Sequence, residues 1–308
     1  MTTLTQATSG QLKQIHRVGS DAVEKVLAEF GLDKDGAQRV HARGDEFAEA
    51  IRVATIASLN DLSVTDKFKD EEVESTYGYL SGYTKPNGLT TQCNRLRELF
   101  SGLGFANLDL LGSIEKGEVA LPMNTEGWFA ILNWIKNPTI FGATYGEALQ
   151  KVLDTIKTTR NGKFYNYRDG QLGPERLRQS KHTEKFFREL AEAQGNPDIL
   201  IVAAQFGIRH RGRSVRRARE VIVSTSGEFG LGAFAVGIMI LTHPERLMNY
   251  DDLWIDCAGD EFDDPDSDVR FVHAPCFDFN GGEVWFGTNT VGYADENYGS
   301  ASGVVPQS

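Results

Sequence analysis

The stretch "VRFVHAPCFDFNGGEVWFGTNTV", Val269 to Val291, holds two alternating, aromatic-rich runs joined at "NGG". Runs of that kind on either side of an Asn-Gly-Gly turn predict an antiparallel β-hairpin. Upstream, "DDLWIDCAGDEF" reads as another strand, and the apolar, β-branched run Asp198 to Ala204 in "NPDILIVAAQFG" as a buried one. Before about residue 195 the periodicity is helical. The expected fold is therefore α+β, with a predominantly helical N-terminal half followed by an α/β region ending in an antiparallel β-hairpin. Three regions are expected: a helical hairpin over 1–65, a helical region over 66–195, and the α/β region over 196–308.

In the first region "SDAVEKVLAEFG" offers Ser20 and Asp21 as caps and Gly31 as a stop, and Asp35 caps the helix expected over "DGAQRVHARGDEFAEAIRVATIASL". Two helices around a short turn are either a helix-turn-helix DNA reader or an ordinary helical hairpin. Asp45, Glu46 and Glu49 on the second helix favour the hairpin, because a groove-binding helix avoids acids. Further helices are expected at "TTQCNRLRELFSGLG", "TEGWFAILNWI", "TYGEALQKVLDTIKTTRNG" and "PERLRQSKHTEKFFRELAEAQG". The longest apolar run, Phe229 to Leu241, is too short to span a bilayer, which takes about 20 residues. It reads as a buried helix.

The net charge of −11 is unevenly distributed. Residues 251–308 hold thirteen acids against one base, Arg270, while 151–220 hold sixteen bases against eight acids. Such segregation points to a polyanionic partner or to internal pairing. The first residues carry neither a basic nor an apolar signal segment, and the three cysteines form no framework. A cytoplasmic location and no membrane partner are expected.

The segments "GLDKDGAQRV", "FYNYRDGQLGPERLRQS", "QFGIRHRGRSVRRARE", "EFGLGAFAVG", "LTHPERL", "LWIDCAGDE" and "YGSASG" together resemble a family of uncharacterised hypothetical proteins from small-genome bacteria. The resemblance implies a bacterial cytosolic origin and carries no fold, activity or site residue with it.

Chemistry is sought first in "RHRGRSVRRARE", Arg209 to Glu220. Arginine is the side chain for bidentate recognition of phosphate or carboxylate, so Arg209, Arg211, Arg213, Arg216 and Arg217 form a candidate anion site. The competing expectation is internal pairing with the acidic loop "DCAGDEFDDPDSD". That loop is also a candidate site for Mg²⁺ or Ca²⁺ through Asp256, Asp260, Glu261, Asp264, Asp266 and Asp268, although it lacks the glycine and terminal glutamate of an EF-hand. Gly230 and Gly232 open a GxGxxA pattern whose helix N-terminus would hold a nucleotide phosphate. His273 and Cys276 are a candidate dyad. Three functions follow as expectations. The first is an anion-binding protein for nucleic acid or a nucleotide-like ligand. The second is an enzyme on a phosphorylated or nucleotide substrate, with Asp256, Asp260 or Glu261 holding a metal or acting as base. The third is an interaction protein whose arginines and aspartates satisfy one another.

Overall fold

The computed structural model describes residues 8–62 and 67–306, and the chain divides into two compact units, Met1–Leu59 and Asn60–Ser308. In the first, α1 (Ser9–Phe30) is followed by α2 (Lys34–Ala42) and α3 (Gly44–Leu62). The start of α1 lies upstream of the expected Ser20. Thr8 and Gln11 form a reciprocal capping box, and Ser20 and Asp21 fall inside the helix. Gly31 ends it in the left-handed conformation, φ 61°. Asp33, rather than Asp35, caps α2 by accepting from the Gly36 amide at 2.6 Å. The second expected helix is two helices, interrupted at Arg43.

The second unit begins with α4 (Leu89–Leu99), α5 (Leu108–Glu115), β1 (Gly127–Leu132), α6 (Pro138–Phe141) and α7 (Tyr145–Thr159). Next come β2 (Phe164–Asn166), β3 (Leu177–Gln179), α8 (Lys181–Ala193), β4 (Ile199–Gln205), α9 (Val215–Ser224) and β5 (Glu228–Gly230). It closes with α10 (Ala233–Thr242), β6 (Trp254–Asp256), β7 (Asp260–Phe262), β8 (His273–Asn280), β9 (Glu283–Thr290), β10 (Tyr298–Ser300) and β11 (Ser302–Val304). The fold is α+β.

One sheet has the order β1-β4-β11-β5 and is antiparallel throughout. The other runs β10-β6-β8-β7-β3, with β9 beside β8 and β2 beside β9. The chain passes between them at Ala301, which follows β10 and precedes β11. Because β1 pairs with β4 and β3 with β7, the regions expected over 66–195 and 196–308 share both sheets and form one unit.

All ten residues of α10 are buried, and the helix packs against α7, β1 and α4. Gly237 permits the approach: a Cβ there would sit 2.7 Å from Val152 Cγ1 and 3.7 Å from Phe277 Cζ. The inward face of the hairpin, including Phe277 and Phe286, thus closes on the helical layer, and both rings are fully buried. Gly281 and Gly282 turn the hairpin with φ of 59° and 85°, the pair of positive angles that a type I′ turn requires. The segment "TEGWFAILNWI" departs from expectation: residues 127–132 are strand β1, in register with β4 from Gly127↔Ala204 to Leu132↔Ile199. A strand buried on both faces loses its alternation, and its sequence then matches that of a buried helix. In "PERLRQSK" the helix begins late, because β3 precedes it and Ser180 caps α8. Among the described residues no helix is long and apolar enough to cross a membrane.

Candidate functional site

The arginine segment meets glutamates. Arg209 donates to Glu228 through Nε at 3.0 Å and Nη2 at 3.0 Å, with the Arg209 side chain 9% exposed and that of Glu228 fully buried. The His210 ring and the Ser302 hydroxyl complete the shell of Glu228 at 2.8 and 2.7 Å. Burial pushes the Glu228 carboxyl up, but the His210 and Arg209 donors hold it at about 2. Burial also keeps His210 below its ordinary value, so the neutral ring donates from Nε2 to Glu228 and accepts at Nδ1 from Arg213, 3.1 Å away.

Residues 67–78 run beside α9 and supply the remaining carboxylates. Arg216 grips Glu71 (Nε to Oε2 2.7 Å), Arg217 donates to Glu72, and Arg213 lies 3.5 Å from Glu72. Arg211 is exposed and donates to the Tyr77 carbonyl at 2.9 Å. Arg219 caps the Ala258 carbonyl at 2.9 Å. The five guanidiniums expected to receive an anion are therefore engaged by protein oxygens. The pairing differs from the internal alternative too, since the partners are Glu71, Glu72 and Glu228 rather than the acidic loop.

The loop acids pair elsewhere and apart. Glu261 meets Arg178 at 2.7 Å, Asp263 meets Arg270 at 2.8 Å, and Asp264 meets Arg168. Asp266 and Asp268 are exposed, while Asp256 and Asp260 are buried. Among the described residues no group of three or more His, Cys, Asp or Glu could hold a metal ion. The expected Mg²⁺ or Ca²⁺ cluster is not assembled, because separate arginines draw its carboxylates apart.

The glycine pattern is placed at a helix start, but not as a nucleotide fingerprint. Gly230 ends β5, an antiparallel strand beside β11, and Gly232 precedes α10. The position of a phosphate is filled by Asp260, whose Oδ2 accepts from the Ala233 amide at 2.7 Å and from the Tyr145 hydroxyl at 2.7 Å. An internal carboxylate thus answers the positive end of α10. The same contact explains Gly232: a Cβ there would lie 2.1 Å from Asp260 Oδ1 and 2.6 Å from the Tyr145 oxygen. Gly232→Ala is expected to cost about 1–3 kcal/mol through overpacking, read as a lower urea midpoint with unchanged slope.

All three cysteines are buried, and burial lifts the Cys257 and Cys276 thiols well above their ordinary value, the reverse of nucleophile activation. His273 and Cys276 are three apart on one strand, so they alternate to opposite faces of the sheet.

The outward face of that sheet contains a cavity of about 300 Å³. Register places Cys276 beside Gly287 and Asp278 beside Trp285, with alternation adding Asn289 to the floor. Tyr167 and Arg168 follow β2, which lies parallel to β9, and Tyr298 of β10 closes the other side. Arg168 reaches Thr288 Oγ1 at 2.6 Å and is held by Asp264. Tyr165 and Tyr167 are half exposed and pack edge to face against each other, 4.5 Å between centroids, and Tyr167 packs against Trp285 at 5.1 Å. Tyr250, Trp254 and Tyr298 form a second aromatic run, with centroids 5.4 and 5.0 Å apart.

Asp278 is the exceptional group. Burial alone lifts its carboxyl to about 6, and among the described residues it accepts no side-chain hydrogen bond and forms no ion pair. Behind Cys276, Asp256 is raised to about 7 by burial and by the charge of Asp295, against the pull of Arg219. Asp256 Oδ1 and the hydroxyl of Ser300, its neighbour across β6 and β10, are both buried without a partner. A carboxyl raised by desolvation on the wall of a cavity makes this the candidate functional site.

Of these cavity residues only Cys276 was singled out from sequence, as half of a candidate dyad with His273. The signal present was alternation in the hairpin, which puts Cys276, Asp278, Trp285, Gly287 and Asn289 on one face. Tyr167 and Tyr298 come from distant segments that no local pattern connects to it.

Fold and site together define an α+β protein with a polar, aromatic-rimmed cavity on an open sheet face. No protein-family model matches the chain, and comparisons with curated proteins and with solved structures found no match.

Proposed function

We propose that this protein binds a small, uncharged, polyhydroxylated ligand, a carbohydrate, in the cavity between β2, β8, β9 and β10. The observation that carries the reading is Asp278, a carboxyl without a partner among the described residues, lifted to about 6 on the floor of an aromatic-rimmed cavity. Asn289, Thr288, Tyr298 and Asp278 mix donors and acceptors, which suits hydroxyl groups because each both donates and accepts. The rings of Tyr165, Tyr167 and Trp285 supply apolar surface for the C–H faces of a sugar. The two carboxyls and the internally paired arginines weigh against an anion. They also weigh against glycoside hydrolysis, since Asp256 and Asp278 are both raised, whereas that chemistry needs one carboxyl kept as an acid and the other ionised.

The test is titration of a panel of neutral oligosaccharides (cello-, malto- and chito-oligosaccharides), followed by tryptophan fluorescence. Gly287→Val fills the floor at a strand position where a Cβ meets nothing nearer than Tyr167 Cδ2 at 3.9 Å. It is expected to abolish binding while leaving the melting temperature unchanged. Asp278→Asn is expected to weaken binding by about tenfold, the loss of one hydrogen bond to a charged group. Sugar affinity should weaken by up to about tenfold as pH falls from 7 to 5, because protonation of Asp278 removes the same charged acceptor that Asp278→Asn removes. If no sugar binds at 10 mM, or if Gly287→Val binds as the parent does, the proposal fails. A preference for organic amines that strengthens as pH rises through 6 would replace it with a cation site.

A further inference from the structure

We infer that the ligand is a sugar chain rather than a single ring, held by two aromatic platforms on either side of Asp278, with Tyr250 and Trp254 in the second. The inference rests on the carbohydrate reading and carries it from the cavity across the sheet. Register lays out the row. Trp285 of β9 stands beside Asp278, and Tyr165 of β2 pairs with Trp285. On the other side β6 meets β8 through Ile255↔Phe277 and Asp256↔Cys276, so the next position, Trp254, falls beside Asp278. Tyr298 of β10 pairs with Trp254. Paired residues share a face, and so do residues two apart on one strand. Tyr165, Trp285, Asp278, Trp254 and Tyr298 therefore line up on the outward face. Neighbouring strands lie about 4.8 Å apart, so the row crosses about 19 Å, farther than one sugar ring reaches. Tyr165, Tyr167 and Tyr250 are each about half exposed. Of the run Tyr250, Trp254 and Tyr298, only Tyr298 lines the cavity, which leaves the other two rings beyond a ligand confined to it.

What lies between and beside the platforms selects the occupant. An apolar partner laid over both would bury Asp278 without a hydrogen bond, and an unpaired buried carboxyl is strongly unfavourable. Nucleic-acid bases also stack on such rings, but their phosphates would be set among acids. Asp278 stands between the platforms, Asp251 follows Tyr250, and the Asp295 carbonyl accepts from the Tyr298 amide at 3.3 Å. A neutral polysaccharide meets neither objection. Its rings present C–H faces to the aromatic side chains, and its hydroxyls donate to Asp278. Successive rings of one chain bring both kinds of contact to the whole row.

Calorimetric titration of the full chain with cello-, malto- and chito-oligosaccharides of increasing length, from one sugar unit upward, tests the inference. In the series that binds, affinity is expected to rise about tenfold or more as the chain lengthens past the cavity, the worth of one further ring stacked on an aromatic side chain, and then to level off. Trp254→Ala and Tyr250→Ala should each remove most of that gain and leave the affinity of the shortest ligand within about twofold. Trp254→Phe, which keeps an aromatic face, should retain it. Tyr250→Ala guards against a folding defect, because it removes a half-exposed ring and leaves in place the carbonyl that accepts from Trp254 Nε1 at 3.1 Å. A variant that merely loosened the sheet would weaken every length alike. Short sugars that bind and are lost in Gly287→Val, with no gain on lengthening, overturn the inference and leave the cavity reading standing. A gain that both alanine variants keep also overturns it, by placing the added contact elsewhere. If no length binds, the carbohydrate reading falls and takes this inference with it.

Discussion

Glu228→Ala is expected to lower the melting temperature by about 6–20 °C. The carboxylate is fully enclosed and receives Arg209, His210 and Ser302. Deleting it takes the Glu228 contact from a guanidinium that is 9% exposed, and breaking a buried pair from one side costs about 3–5 kcal/mol. For a unit of this size each kcal/mol is worth about 2–4 °C. Arg211→Ala provides the contrast. That side chain is exposed and makes one bond to a backbone carbonyl, so its loss should stay within about 0.5 kcal/mol. The two variants, melted side by side, separate structural arginine from surface arginine. A fall of less than 2 °C for Glu228→Ala would show that water reaches Arg209 and that the pairing is incidental. The depressed carboxyl adds an acid limb to the stability curve. Unfolded, Glu228 titrates near 4.5, and folded near 2, so its contribution is complete above 4.5 and is lost as pH falls through 2.

Raising the pH from 6.5 to 8 is expected to lower the melting temperature by about 2–6 °C. Asp256 and Asp260 are both held near 7 by burial, against an ordinary value near 3.8. Between those values the folded chain retains protons that the unfolded chain has released. Stability from these groups is therefore whole below about 4 and is withdrawn as pH rises through 7. Each contributes about 1 kcal/mol of loss across the window. His243, lowered by burial to about 4, and His210, also lowered by burial, act with the opposite sign, and because their unfolded value is 6.5 they are only half titrated at the start of the window and offset part of the loss. The net fall above 6.5 is the aspartate loss less this histidine gain, and an aspartate variant separates the two. Asp256→Asn should raise the melting temperature most at pH 8, less at pH 5 and least at pH 4, and make the fall above 6.5 shallower. An unchanged slope in that variant would mean that Asp256 stays ionised and solvated in the folded protein. The same experiment bears on the cavity, because a buried carboxyl kept without a partner lowers stability and is retained where binding uses it.

Several of these features were legible beforehand. The Asn-Gly-Gly hairpin, the buried strand β4 and the amphipathic α7 each carry a local signal, in turn chemistry or in the period of apolar residues, and each formed as expected. The segment over β1 did not, since two-sided burial erases the alternation that separates strand from helix. The cap of α1 was also misplaced: Ser20 and Asp21 have the right chemistry, but the reciprocal Thr8–Gln11 pair competes with them and wins. The arginine segment shows where residue types stop being informative. Its composition suits phosphate and carboxylate equally, and the choice rested on Glu71, Glu72 and Glu228, the first two more than 130 residues away from it in sequence.

The sequence by itself determined which segments could be helix or strand, because caps, turns and periodicity act over a few residues and need no distant partner. It also determined the segregation of charge. Tertiary structure alone decided which charges meet and which polar groups are left unmatched. Asp260 answers the start of α10 across 27 residues, Arg209 finds Glu228 on the neighbouring β5, and Asp278 is left beside Tyr167 and Tyr298 with no partner among the described residues. The physical reason is range. Local preference is set by bonded neighbours, whereas the worth of a charge depends on its burial and on the partner that the packed chain brings to it.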